Sequence, residues 1–382
     1  MTAVSQLLGD EELQLRGAAA EMLRRESPVS AFRRLRDEDR RPRFDPALWT
    51  QFAELGWTGM LVPEAHGGLA FGHRGAGLLC EEMGRNLVAS PFASTCIHAV
   101  TLLLAAGSDL CEGLLPQVVA ADTTIAIACD EGRAFAPLQT ALRARREGDG
   151  FRLSGEKCFV SDGGFAEHLL VLARSAGAPG EATGLSLFHV PAAALPAGAL
   201  QPLHMVDERD WAHIRFDDLA LPASALIGAE GEAAVLLEAH VDVAAAHSAS
   251  ELLGISDALF DMTLDHLKVR EQFDAPLGSF QALQHRAAQM FIRLELLRSV
   301  VLDAQAALDE RRDDASRACS QARSMAIDVA RLVGAEAIQL HGGMGVTDEL
   351  DVGLYYKRSL ALCQQFGSRG FHRERFARLS GY

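Results

Sequence analysis

The 382-residue sequence predicts a segregated α+β fold in which a helical block, a strand block and a second helical block follow one another. Three observations carry this reading. Apolar residues recur at helical spacing up to about residue 120, short apolar runs bounded by glycine turns come next, and Ala/Leu/Arg-rich stretches fill the remainder. The alternating strand–helix order that a doubly wound dinucleotide-binding sheet needs does not occur.

The first block is expected over residues 1–122. Leu7, Leu8, Leu13, Leu15, Met22 and Leu23 share helical spacing there, and punctuation such as Pro63-Glu-Ala-His-Gly-Gly68 separates helices. The second block, residues 123–228, contains strand-like runs at 124–128, 151–154, 168–173, 185–190 and 211–216. The third, residues 229–382, is helical again, with breaks at Ala275-Pro-Leu-Gly278 and His341-Gly-Gly343. Within it, the charge run Asp309-Glu-Arg-Arg-Asp-Asp314 reads as a solvated helix end.

Composition narrows the function. With 51 acidic against 36 basic side chains the net charge is -15, so the chain lacks the positive field that a nucleic-acid partner requires. The seven cysteines are dispersed, with no CxxC pair or zinc-like spacing, which points to reduced thiols and no metal. No apolar run approaches the roughly 20 residues that span a bilayer, and the first residues lack a signal core. These features predict a cytoplasmic protein without a membrane anchor.

Three segments stand out as candidate site residues. Arg270-Glu-Gln-Phe273 through Phe280-Gln281 lies where one helix ends and the next begins, and an arginine there can grip a pyrophosphate bidentately. Taken alone, the segment is a helix–loop–helix corner with Pro276 and Gly278 as breakers. Gln339-Leu-His-Gly-Gly-Met-Gly345 is by itself a glycine helix cap, yet Gly342-Gly343 also lets a ligand approach bare backbone. Lys157-Cys-Phe-Val-Ser-Asp-Gly163 has the pattern of a strand entering a turn.

Together, in this order, these motifs resemble the flavin-binding signatures of the acyl-CoA dehydrogenase family. Glu81-Glu-Met-Gly-Arg85, Ser90-Pro-Phe92, Leu221-Pro222 and Leu226-Ile-Gly228 extend the resemblance over essentially the whole chain. It implies an N-terminal α-domain, a central β-domain and a C-terminal four-helix bundle. It also implies FAD as cofactor, held by Arg270, Phe273, Gln281, Gln339, Gly342 and Gly343, with Phe159 and Ser161 against the isoalloxazine. Here Phe159 replaces the usual tryptophan and Ser161 a threonine, which keeps an apolar face and a hydroxyl donor. An acyl-CoA substrate, an electron-transfer flavoprotein and a dimeric or tetrameric assembly are implied in the same way.

The sequence departs from the family where the chemistry lies. Members use a glutamate to remove the substrate α-proton. At its commoner position this chain has Phe366, and at the alternative one Ala244 beside Ala245. Asp242 and Glu251, on the same expected helix as Ala244, are the candidate substitutes; otherwise they read as solvent-facing or inter-subunit carboxylates. The segment Ala128-Cys-Asp-Glu-Gly-Arg133-Ala-Phe lacks the Gly-Ser-Asp triplet that contacts flavin and substrate in the family, and Asp274 stands where glycine is usual. The chain keeps what a subunit lends to its neighbour's flavin and has lost much of its own pocket. That resembles the non-catalytic subunits of heteromeric acyl-CoA dehydrogenases, which implies a related partner chain. The alternatives are a homomeric flavoenzyme, using a surrogate base or a reaction without dehydrogenation, and a CoA-binding scaffold without flavin.

Overall fold

The structure, a computed structural model, describes residues 8–382, so Leu7 lies outside the described residues. Helices Asp10–Glu26 (α1), Val29–Asp37 (α2), Pro46–Glu54 (α3) and His73–Arg85 (α4) lead through a π-helix, Phe92–Ala99, to Val100–Ala105 (α5) and Cys111–Val119 (α6). Strands follow at Ile125–Ala128 (β1), Arg143–Glu147 (β2), Gly150–Ser161 (β3), His168–Arg174 (β4), Leu185–Pro191 (β5), Leu200–Pro202 (β6), Trp211–Pro222 (β7) and Leu226–Ile227 (β8). The long helix Ala233–Val269 (α7) ends at a small hairpin, Glu271–Gln272 (β9) and Ala275–Pro276 (β10). Helices Gln281–Asp309 (α8), Ala315–His341 (α9), Val352–Leu362 (α10) and Arg369–Leu379 (α11) complete the chain. The helix–strand–helix order is the one the sequence predicts. Strand β2 was not predicted because, of Arg-Ala-Arg-Arg-Glu, only Ala144 is buried, so no apolar pattern marks it. Among the described residues no helix is long and apolar enough to cross a membrane, and none of the seven cysteines is in a disulfide.

Two compact units form. One comprises Leu35–Gly72 and Ala89–Ala244 and holds the sheet. Its strands run in the order β6-β7-β3-β2-β4-β5-β8, with β1 lying parallel beside β4. Phe151, Leu153, Leu169, Phe188, Ile214 and Phe216 pack its core, each such side chain contributing about 1.5–3 kcal/mol through burial. The π-helix anchors the first strand: Thr95 Oγ1 accepts from the Ile125 amide at 2.9 Å and donates to the Ile125 carbonyl at 3.2 Å.

The other unit gathers the residues up to Arg34, His73–Val88 and Ala245–Tyr382. Its helices α4 and α7 cross at backbone contact. A Cβ built on Gly84 would lie 2.3 Å from the Glu251 carbonyl oxygen, and one on Gly254 would lie 1.8 Å from that of Glu81. Arg298 of α8 locks this crossing by donating to Glu81 and Asp257, both at 2.6 Å. Burial pushes both carboxyls up, and Arg298 opposes that shift. Asp309 is more than the solvated helix end the charge run suggested. Its carboxylate accepts the His73 and Arg74 amides at 2.5 and 2.9 Å, capping α4 from another helix. Fully buried Arg323 on α9 donates to the Leu362 and Gln365 carbonyls at 2.6 and 2.7 Å, closing the end of α10.

Candidate functional site

Within the sheet unit, β3 loses its regular register against β7 between Lys157 and Val160. Phe159 sits in this irregularity with a left-handed backbone (φ 52°), its ring edge-on to His213 at 5.3 Å between centroids. Such a conformation is costly for an aromatic residue and persists only where the surroundings fix it. Ser161 follows, half-buried and paired with Trp211. Below them Lys157 is fully buried, and its Nζ donates to Glu131 Oε1 at 2.7 Å and to the Cys129 carbonyl at 3.0 Å. Burial lowers the Lys157 pKa, and Glu131 pulls the other way. Glu131 also accepts the Ala141 and Leu142 amides at 2.7 and 3.0 Å, so one carboxylate closes the loop from β1 to β2.

Sequence reasoning passed over Asp130, which this framework ties to Cys158 of β3. The Cys158 amide donates to the Asp130 carbonyl at 2.7 Å. Asp130 Oδ1 is shut off from solvent and has no hydrogen-bond partner. Burial raises this carboxyl to about 7, even though Lys157 opposes the shift. The available signal was an aspartate two residues after a four-residue apolar strand, but the sealing of its Oδ1 could not be read from the chain.

Within the helical unit, α7 and α9 finish side by side. His266, one turn before Arg270, stacks on His341 at 4.4 Å between ring centroids. The Arg270 corner and the Gly342-Gly343 turn are therefore brought to one end of the unit. Arg270 is exposed, its backbone tied to His266 and Leu277, and among the described residues no carboxylate pairs with its guanidinium. Phe273 projects with 88% of its surface exposed. Phe273 and Asp274 both have positive φ, 57° and 61°, and form the turn between β9 and β10. Gln281 opens α8 and Gln339 lies in the last turn of α9, both exposed. Gly342 caps α9 at φ 62°, and a Cβ at Gly342 or Gly343 would meet nothing within 4 Å. This backbone is open to a ligand.

The two positions expected to carry a base hold Phe366 and Ala244. Phe366 lies in a tight turn at φ 54°, its carbonyl accepting from His372 Nε2 at 2.8 Å. Ala244 and Ala245 are fully buried on α7. Glu251 is not solvent-facing: Arg358 of α10 donates to it at 2.7 Å, and both side chains are largely buried. Asp242 is also buried.

An acidic protein with an open glycine turn, an unpaired arginine corner and an irregular aromatic strand has the outline of a flavoprotein. Comparison with known proteins identifies which kind. The family descriptions for the acyl-CoA dehydrogenase N-terminal, middle and C-terminal domains match residues 9–122, 129–219 and 234–380. The chain belongs to the acyl-CoA dehydrogenase family. It is 29% identical to acyl-CoA dehydrogenase FadE12 of Mycobacterium tuberculosis over 323 residues, 83% of each chain. It is 31% identical to 3-sulfinopropanoyl-CoA desulfinase of Paraburkholderia xenovorans over 303 residues, 76% of each. Among solved structures, a variant of the Tcur3481-Tcur3483 steroid ACAD superposes with a TM-score of 0.86 at 28% identity, covering 97% of this chain and 98% of that one. Acyl-CoA dehydrogenases are FAD-binding flavoproteins. The residues present fit FAD: Arg270 offers an uncommitted cation for a pyrophosphate, and Gly342-Gly343 offers bare backbone beside it.

Proposed function

We propose that this chain is a cofactor-completing subunit of a heteromeric FAD-dependent acyl-CoA dehydrogenase, with the proton-abstracting glutamate supplied by a related partner chain. One observation carries the reading. Phe366 and Ala244 occupy both base positions, while Arg270, Gln281, Gln339 and the Gly342-Gly343 turn are retained. In this account residues 1–122, 123–228 and 229–382 are its three domains. Bound FAD would accept the substrate β-hydrogen as hydride. Arg270 would hold the pyrophosphate through charge-assisted hydrogen bonds, Gln281 and Gln339 would present amide donors, and Phe273 would cover the cofactor's apolar surface. Phe159 would present an apolar face to the isoalloxazine and Ser161 a hydroxyl.

Neither phenylalanine nor alanine can take the α-proton, and Glu251 is committed to Arg358. General-base catalysis contributes about 10²- to 10⁴-fold, so the isolated chain should oxidise acyl-CoA thioesters only slowly. The two joined subunit names of the steroid ACAD it resembles support an assembly of unlike chains, and a steroid-linked thioester falls within the substrate class considered. The electrons would leave to an electron-transfer flavoprotein. The test is turnover of acyl-CoA substrates by the purified chain, alone and co-expressed with related chains. Rapid turnover by the chain alone, lost on Glu251→Gln or Asp242→Asn, would identify a surrogate base and overturn the proposal.

The similarity to 3-sulfinopropanoyl-CoA desulfinase favours one alternative: a homomeric flavoenzyme whose reaction needs no α-proton abstraction. A yellow homotetramer that releases sulfite from a sulfinated acyl-CoA and does not dehydrogenate would establish it.

A further inference from the structure

The helical unit holds a cavity of about 570 Å³ between α1, α4 and α7 that no step of the proposed reaction uses. One charged group stands at it without a partner. Glu82 of α4 lines the cavity with only 7% of its surface exposed, yet among the described residues no hydrogen bond or ion pair reaches its carboxylate. Neither carboxyl oxygen is sealed inside the protein, so the group still meets solvent. The surrounding charges are committed elsewhere or held at a distance. On α4, Glu81 accepts from Arg298 of α8 at 2.6 Å, and the Arg85 guanidinium donates to Asp261 of α7. Asp257 of α7 accepts from Arg298 as well. On α1, Arg16 acts on Glu82 only through space, and Glu21 and Arg24 are exposed where they line the cavity. Burial, and Glu81 after it, push the Glu82 carboxyl up to about 7, with Arg85 and Arg16 opposing.

Asn86 adds a further acceptor to this wall. Its Nδ2 donates to the Glu82 carbonyl at 2.9 Å, which leaves its Oδ1 for a ligand. Two carboxylate oxygens and one amide oxygen suit an ammonium, which carries three N–H donors and no acceptor. Gly17, Ala20 and Ala258 also line the cavity and offer small apolar surface to a short aliphatic stem. A metal ion is a poorer match, because among the described residues no group of three His, Cys, Asp or Glu side chains is placed to hold one. The volume falls within the roughly 300–1,000 Å³ of small-molecule sites. We propose that this cavity binds the ammonium group of a small aliphatic amine, with the Glu82 carboxylate as its counter-ion. The bound cation stabilises the ionised form that burial disfavours, so amine binding and loss of the Glu82 proton are coupled.

The experiment is a calorimetric titration of the full chain with butylammonium chloride at pH 6 and pH 8.5, with the Glu82→Gln variant alongside. Glutamine keeps the shape and removes the charge, and the probe stays protonated at both pH values. With the carboxyl titrating near 7 and only its ionised form competent, the wild type should bind about tenfold more tightly at pH 8.5 than at pH 6. The variant should bind about tenfold or more weakly than the wild type at pH 8.5, and equally at both pH values. A second readout needs no variant. Wild-type titrations at pH 7 in buffers of different ionisation heat should show about half a proton released per amine bound. Absence of saturable binding overturns the proposal. Equal affinities for wild type and variant also overturn it, since the binding would then follow from the chain's net charge of -15 alone. Binding at pH 7 without proton release overturns it too. None of these outcomes involves flavin or a partner chain, so the proposed function stands or falls separately.

Discussion

The crossing of α4 and α7 has the tightest tolerance in the helical unit, and Gly254→Ala tests it. The new methyl would lie 1.8 Å from the Glu81 carbonyl oxygen, 2.8 Å from its carbon and 2.9 Å from the Arg85 nitrogen. All three are backbone atoms of a hydrogen-bonded helix, so no side chain can swing aside. Restoring van der Waals contact requires the helices to part by about 1.5 Å, and that opening also loosens the Arg298 bridge to Glu81 and Asp257. Overpacking of this kind costs about 3 kcal/mol or more, and the better helix propensity of alanine returns ~1 kcal/mol. The expected net loss is about 2 kcal/mol. Gly17→Ala is the matched control, because Gly17 is exposed within α1 with nothing within 4 Å of its Cβ. It should gain about 0.5–1 kcal/mol. Urea unfolding followed by circular dichroism gives both values from midpoint shifts at unchanged slope. If the two substitutions shift the midpoint in the same direction, the backbone-contact account of this crossing is wrong.

Three further outcomes are expected. Arg270→Ala should reduce the flavin content of the assembled protein, since a charge-assisted hydrogen bond is worth about 1.5–3 kcal/mol; unchanged flavin absorbance per chain would remove Arg270 from the site. Burial raises the Asp130 pKa from 3.8 to about 7, so between these values the folded chain should hold a proton there that the unfolded chain releases. Wild-type stability should therefore fall as pH rises from about 4 to 7 by an amount that Asp130→Asn removes, of the order of 4 kcal/mol at most; parallel stability–pH curves for the two proteins would contradict this. Asp274→Gly should stabilise the β9–β10 turn by about 1 kcal/mol, because φ 61° is unstrained for glycine; a lower unfolding midpoint would show that the aspartate makes a compensating contact.

Much of the architecture is legible in the chain because burial and periodicity coincide. His168–Arg174 and Leu185–Pro191 are almost continuously buried, and their apolar runs announce them as strands. Arg143–Glu147 is paired by backbone alone, with four of its five side chains exposed, so its sequence carries no strand signal. The same contrast holds at the site. Arg270, Phe273 and Gly342-Gly343 could be picked out because their residue types and order match a family pattern. The stacking that brings those segments together pairs His341 of the glycine motif with His266, which lies outside both motifs and far away in sequence. The fate of Glu251 likewise depended on Arg358, more than a hundred positions away. Asp130 became visible only once the sealing of its Oδ1 away from solvent and partners was known.

The central claim, that this chain completes a flavin site for a partner and lacks a base of its own, is tested most directly by counting flavins per chain. Native mass measurement of the complex formed with a related, base-containing chain, combined with flavin absorbance, gives that count. The account predicts a mixed assembly with fewer flavins than chains, active only when the partner is present. A homotetramer of this chain alone, carrying one FAD per chain and dehydrogenating acyl-CoA rapidly, would contradict it.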